Sequence, residues 1–175
     1  MTSLTSYSIL AVDLSYRNTG VAMLHRDGPS LQIETTSLIN PKCDAMGFSA
    51  LDNARQNYYK NTIAILRTLI DGGFDMVVIE VPCFTQSSKS AMLIGMCWGA
   101  ICDFDSILIE PSALKRWSDS KSGDKKSMVK EKVLSRITLT AKEASDDNIV
   151  DAVGIALMTS DLISLVNHEN HTSTN

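Results

Sequence analysis

The 175 residues contain no internal repeat and little of what marks specialised scaffolds, with 9 glycines, 4 prolines, 4 cysteines and 3 histidines. So little glycine and proline excludes a collagen-like or low-complexity chain. The cysteines, Cys43, Cys83, Cys97 and Cys102, form no CxxC pair, and His25, His168 and His171 lie far from them. That excludes a zinc-ligand spacing and a disulfide framework, and leaves small buried thiols in a reducing compartment. Long apolar runs are also missing. The longest, Ala91 to Cys102, falls well short of the roughly 20 residues that cross a bilayer. The opening MTSLTSYSILAVDL places no basic segment before its short apolar run. The expectation is an intracellular, cytoplasmic protein without membrane association. What is present, 44% hydrophobic residues and a net charge of −4, fits one globular domain over residues 1–166 with a polar tail over 167–175.

Patterning predicts an α/β fold. Ser8 to Ser15 and Val21 to His25 read as a hairpin around the turn YRNTG, and Leu31 to Ile39 as a third antiparallel strand after Asp27-Gly28-Pro29. From Leu51 to Ile70 the apolar spacing is helical and stops at Gly72-Gly73. Met76 to Val81 is continuously apolar, as a strand covered on both faces must be. A helix over residues 87–103, a strand at Ser106 to Ile109, and a short helix from Pro111 to Trp117 follow. A polar loop to Asp124, a helix from Lys125 to about Ile137, and a last helix from about Asp146 to Val166 complete the chain.

Three acidic residues sit where hydrophobic patterning would not put them. Asp13 ends the run Leu10-Ala11-Val12, Glu80 ends Val77-Val78-Ile79, and Asp151 interrupts the apolar start of the last helix. An ionised carboxylate is costly to bury alone, so each needs a partner, solvent or a cation. Asp146, Asp147 and Asn148 add oxygen donors about one helical turn before Asp151. Oxygen donors without Cys or His favour a hard ion, Mg²⁺ or Mn²⁺, over zinc. Two such ions about 4 Å apart suit in-line attack on a phosphodiester. Strand-end turns and helix caps remain the ordinary alternative for single residues of this kind.

The net charge argues at first against nucleic acid, but it is unevenly spread. Residues 115–142 hold nine of the sixteen basic residues against Asp119, Asp124 and Glu131, a local net of +6 that leaves −10 elsewhere. Lys115, Arg116, Lys121, Lys125, Lys126 and Lys130 belong to this stretch. It is either a solvated helical face or a phosphate-binding patch whose grip weakens with salt.

In order along the chain, ILAVDLSYRNTGVAML, MVVIEVPCF, the helix with Ser90-Ala91, Gly95 and Gly99, ILIEPSALKRW with SGDKKSMV, and DDNIVDAVGIAL resemble the motifs of the RuvC-type Holliday-junction resolvases. The resemblance implies an RNase H-like fold with a five-stranded mixed sheet, three antiparallel strands then two parallel, flanked by helices. It implies an endodeoxyribonuclease that resolves four-way or other branched DNA by paired phosphodiester hydrolysis, with two Mg²⁺ ions per site (Mn²⁺ as substitute) and no small-molecule cofactor. Asp13, Glu80 and Asp151 would be metal ligands, with Lys126 and Lys115 near the scissile phosphate. Many family members carry the fourth ligand three residues before the final Asp, where this chain has Asn148. Of Asn148 and Asp147, one position upstream, only Asp147 supplies charge and is favoured, with Asp146 left as a further alternative. Phe84 would wedge into the junction centre, one place later than the family's usual aromatic, and stacking of this kind contributes about 1–3 kcal/mol. Lys89 would add a DNA contact from the same segment. Paired nicks require two sites, hence a homodimer. A nuclease acting on flaps or RNA–DNA hybrids, and a non-catalytic DNA-binding or dimerisation module on the same fold, are the alternatives.

Overall fold

The computed structural model describes residues 6–40, 48–81, 88–119 and 125–172. Its first strands, β1 (Ser6–Asp13), β2 (Asn18–Asp27) and β3 (Ser30–Ile39), form an antiparallel meander. Gly28 turns β2 into β3 at a φ of 55°, a conformation that needs the missing Cβ. β2 starts at Asn18, earlier than Val21, because its pairing with β3 runs on until Asn18 faces Ile39. Residues 48–71 form α1 (Phe48–Tyr58), a π-helical turn (Tyr59–Ile63) and α2 (Ala64–Asp71). The wider turn, with its i to i+5 bonding, puts Ile63 on the same buried side as Tyr58.

β4 (Met76–Glu80), α3 (Ser88–Ile101) and β5 (Ile107–Ile109) follow. The sheet order is β3-β2-β1-β4-β5, with β1, β4 and β5 mutually parallel. This is the expected mixed sheet. The remaining helices are α4 (Pro111–Trp117), α5 (Lys125–Leu134), α6 (Ala141–Ser145) and α7 (Asp147–Thr172). Patterning missed α6, a single turn with no buried residue. It is held by a capping box in which Thr140 N–H donates to Glu143 Oε2 at 2.8 Å while Glu143 N–H donates to Thr140 Oγ1 at 3.3 Å. α7 runs past Val166 to Thr172, since no glycine or proline interrupts those residues.

Side-chain alternation divides the core into two layers. Ile9, Ala11, Ala22, Leu24 and Val78 face α4, α5 and α7, while Leu10, Val12, Val21, Val77 and Ile79 face α1, α2 and α3. By length and composition α7 could cross a bilayer. Here Val150, Ala152, Val153, Ile155, Ala156 and Leu157 are buried within the layer that α7 forms with the sheet, α4 and α5.

The contact between α7 and β2 is close enough to exclude a side chain. A Cβ at Gly20 would lie 2.0 Å from the Asn148 carbonyl oxygen and 2.9 Å from the Ile149 nitrogen. Both obstacles are backbone, so only displacement of the helix relieves the clash. Gly95 in α3, by contrast, has nothing within 4 Å of where its Cβ would go. Urea denaturation is expected to show Gly20→Ala destabilised by about 1–3 kcal/mol or more, as for overpacked cores. Gly95→Ala is expected to gain up to about 1 kcal/mol from helix propensity.

Candidate active site

β1 presents Ile9, Ala11 and then Asp13 to the α7 layer, and β4 presents Val78 and then Glu80. The alternation that buries the apolar residues therefore aims both carboxylates at the same helix. Asp13 and Glu80 are direct register partners at the carboxyl ends of adjacent parallel strands. On its other side Asp13 faces Gly20, where the α7 backbone comes down onto the sheet. Asp151 lies one turn into α7 between the buried Val150 and Ala152. Three residues 138 positions apart in sequence thus meet at one end of the sheet.

Their electrostatics are only partly compensated. Burial, then the charges of Glu80, Asp151 and Asp146, push Asp13 from 3.8 to about 8, with Lys126 opposing. Glu80 rises from 4.5 to about 7 through burial and Asp151, partly offset by Lys115. Asp151 rises from 3.8 to about 6 through burial, with Lys126 opposing and Asp147 adding to the rise. Glu80 Oε2 is buried without a hydrogen-bond partner among the described residues, a condition that ordinarily costs stability. As they stand, no three His, Cys, Asp or Glu side chains among the described residues are grouped closely enough to hold an ion. The like-charge repulsion that adds to burial at Asp13 and Glu80 favours separation of the carboxylates. An orphaned buried oxygen and three coupled carboxylates without nitrogen or sulfur donors fit a hard divalent cation.

The residues before Asp151 divide into two roles. Asp147 forms an ion pair and hydrogen bond with Lys126. That contact is the main cause of the upward shift of Lys126, which burial opposes and the charges of Asp147, Asp151 and Asp13 reinforce. Asp146 turns toward the sheet, where Asn18 Nδ2 donates to both its oxygens at 3.2 and 3.1 Å and Ser37 Oγ donates at 2.9 Å. The Asn148 backbone N–H donates to Asp146 Oδ1 at 3.0 Å, and Asn148 Nδ2 donates to the same oxygen at 3.2 Å. Burial pulls the Asp146 carboxyl upward, but these donors outweigh it and hold the pKa below its usual value. Asn148 is thereby also directed toward Asp146.

Of the basic candidates, Lys115 in α4 and Lys126 in α5 are brought to the carboxylates, where each lowers a neighbouring acid. Arg116 is exposed and donates to Ser112 Oγ at 3.0 Å, and Lys130 is half-buried on α5. Phe84 and Lys121 lie outside the described residues, as do the side chains of Lys89 and Lys125. Two other basic residues of this stretch serve the fold. Lys132 donates to the Trp117 carbonyl and sits 4.6 Å from that indole's centroid, and Arg136 pairs with Asp161 at 2.8 Å. Sequence reasoning missed Asn18 and Ser37. A signal existed on β3, whose α7 face changes from Leu31 and Ile33 to the hydroxyl residues Thr35 and Ser37.

No protein-family model matches this sequence, and no curated protein matches it. Solved structures do. The RuvC of Thermus thermophilus in complex with a Holliday junction substrate superposes with a TM-score of 0.64 over 87% of this chain and 92% of its own, at 14% identity. A second Thermus thermophilus RuvC structure gives 0.62 over 91% and 97%, at 13% identity. A fowlpox virus resolvase in complex with Holliday junction DNA aligns with a TM-score of 0.47, covering 89% and 99% at 17% identity. The two RuvC superpositions show a shared fold: this chain, with its five-stranded mixed sheet, has a RuvC-like fold.

Proposed function

We propose that this chain is a divalent-cation-dependent endonuclease that resolves Holliday junctions or other branched DNA by paired phosphodiester hydrolysis. The observation that carries this function is the in-register pair Asp13 and Glu80 facing Asp151, with the pKa of each carboxyl raised chiefly by burial and further by at least one neighbouring carboxylate. The RuvC-like fold supports it, since one structure with that fold is solved on a Holliday junction substrate. Asp13, Glu80 and Asp151 would hold Mg²⁺ or Mn²⁺, with Asp147 as fourth ligand. Two ions per site, when bound, would activate a water and offset charge on the leaving oxygen of an in-line displacement.

The chain's own groups have distinct tasks. Asp147 orients the Lys126 ammonium beside the carboxylates, where it can meet a backbone phosphate and stabilise charge that develops on it. Lys115, next to Glu80, would position the same strand. Arg116, Lys121, Lys125, Lys130 and Lys89 would extend phosphate contact along the duplex arms, and Phe84 would stack in the open junction centre. A second copy would supply the second nick. The outer face of α3 suits that contact, because Gly95 and Gly99 face open space beside the exposed Met92 and Trp98.

Asp13→Asn is the direct test. Cleavage of a synthetic four-way junction in Mg²⁺ is expected to be lost while junction binding in chelator persists, and wild-type cleavage by this variant would refute the function. The same substitution removes a buried like charge, so the metal-free variant is expected to melt higher than wild type at pH 8, each 1 kcal/mol being worth about 2–4 °C. Lys126→Ala is expected to lower kcat by about 100-fold, the usual effect of removing one transition-state donor.

The raised carboxyl values also fix a pH dependence. Between the ordinary values near 4 and the folded values of about 6, 7 and 8, the folded chain holds more protons than the unfolded one. Stability of the metal-free protein therefore falls as pH rises through this window. Calorimetry is expected to show a larger rise in melting temperature on adding Mn²⁺ at pH 8 than at pH 5, because a cation replaces the protons that the folded site loses.

A further inference from the structure

One transverse row of the sheet runs Ser37, Gly20, Asp13, Glu80 across β3, β2, β1 and β4 in register. α7 begins over this row. Gly20 gives its backbone room, but room alone does not fix where along the row the helix starts or how it is rotated. The residue that ties it down is Asp146. One carboxylate oxygen caps the first turn through the Asn148 N–H, as a helix N-cap does. The other accepts Ser37 Oγ, two strands from Asp13, while Asn18 Nδ2 bridges both oxygens from the start of β2.

We infer that Asp146 is a positioning residue, a carboxylate clamp that joins the N-terminus of α7 to Asn18 and Ser37 and so sets Asp151 opposite Asp13 and Glu80. This rests on the metal-dependent site proposed above and assigns Asp146 to holding a ligand in place. Every group that meets its oxygens is a donor, so an ionised carboxylate satisfies all of them. An amide in its place would turn an NH₂ group toward at least one of these donors. Asn18 and Ser37 thereby act on the site without touching it, as the partners of metal-ligating side chains commonly do.

The test uses the full chain and Mn²⁺ alone, without DNA, in isothermal titration calorimetry of wild type, Asn18→Ala, Ser37→Ala, Asp146→Asn and Asp151→Asn. Asn18→Ala and Ser37→Ala leave the helix cap intact, so they report even where Asp146→Asn does not fold. Each is expected to bind Mn²⁺ roughly 10-fold more weakly, the usual lower bound for loss of an outer partner. Affinity for a four-way junction in chelator is expected to stay at the wild-type level, and the cleavage loss to fall in kcat, leaving KM unchanged. If Asp146 is itself a ligand, freeing it from Asn18 or Ser37 leaves Mn²⁺ affinity unchanged or raises it, and that result overturns the clamp. Failure of the wild type to bind Mn²⁺, or wild-type affinity in Asp151→Asn, overturns the metal site and the clamp together. Loss of binding in Asp151→Asn with full binding in Asn18→Ala and Ser37→Ala overturns the clamp alone.

Discussion

The approach of the α7 backbone to Gly20 is the constraint on which the carboxylate cluster depends. With the Asn148 carbonyl 2.0 Å from where a Cβ would stand, helix and sheet meet without an intervening side chain. Asp151, projecting from the next turn, therefore reaches the end of β1, where Asp13 pairs with Gly20 on one side and Glu80 on the other. A larger residue at position 20 would separate the layers at the one place where the site needs them together. The apolar seam of Val150, Val153 and Leu157 below that point makes the approach rigid, since close-packed layers shift as units.

Two partly buried acids show two answers to the same desolvation problem. Asp146 is surrounded by hydroxyl and amide donors and remains below its ordinary pKa. Asp13 faces other carboxylates and rises to about 8. The first arrangement stabilises the fold. The second opposes it, and its only partly compensated charge, with the orphaned Glu80 oxygen, is what a divalent cation can relieve. Local instability of this kind is what a binding site retains when its ligand is meant to complete it.

The strands and the three central acids were legible because each breaks a period. Asp13 and Glu80 end continuously apolar runs, and Asp151 sits within an apolar helical run, so burial without a local partner could be inferred from the sequence. Asp146 was legible only as an acid near a helix start, since its partners Asn18 and Ser37 lie over 100 residues away and pairing across strands leaves no mark on local spacing. The single turn of α6 carries no apolar stripe and was overlooked, although Thr140 and Glu143 spell a capping box. The π turn at Tyr59–Ile63 was invisible because its neighbours keep helical spacing on both sides.

The basic stretch shows how a charge count overstates a surface. Lys132 stacks on Trp117 and donates to its carbonyl, and Arg136 meets Asp161, to which the Trp117 indole N–H also donates at 2.9 Å. These contacts fasten α4 and α5 to α7. Their effect on the site is indirect: α4 carries Lys115 and α5 carries Lys126, so Lys132 and Arg136 fix where the two site-facing cations stand. A predominantly basic segment thus contains, by geometry, groups that hold helices and groups that face the carboxylates. Counterion release on DNA depends on phosphates neutralised, so Lys132 and Arg136, engaged by Trp117 and Asp161, would add less to it than their charge count suggests.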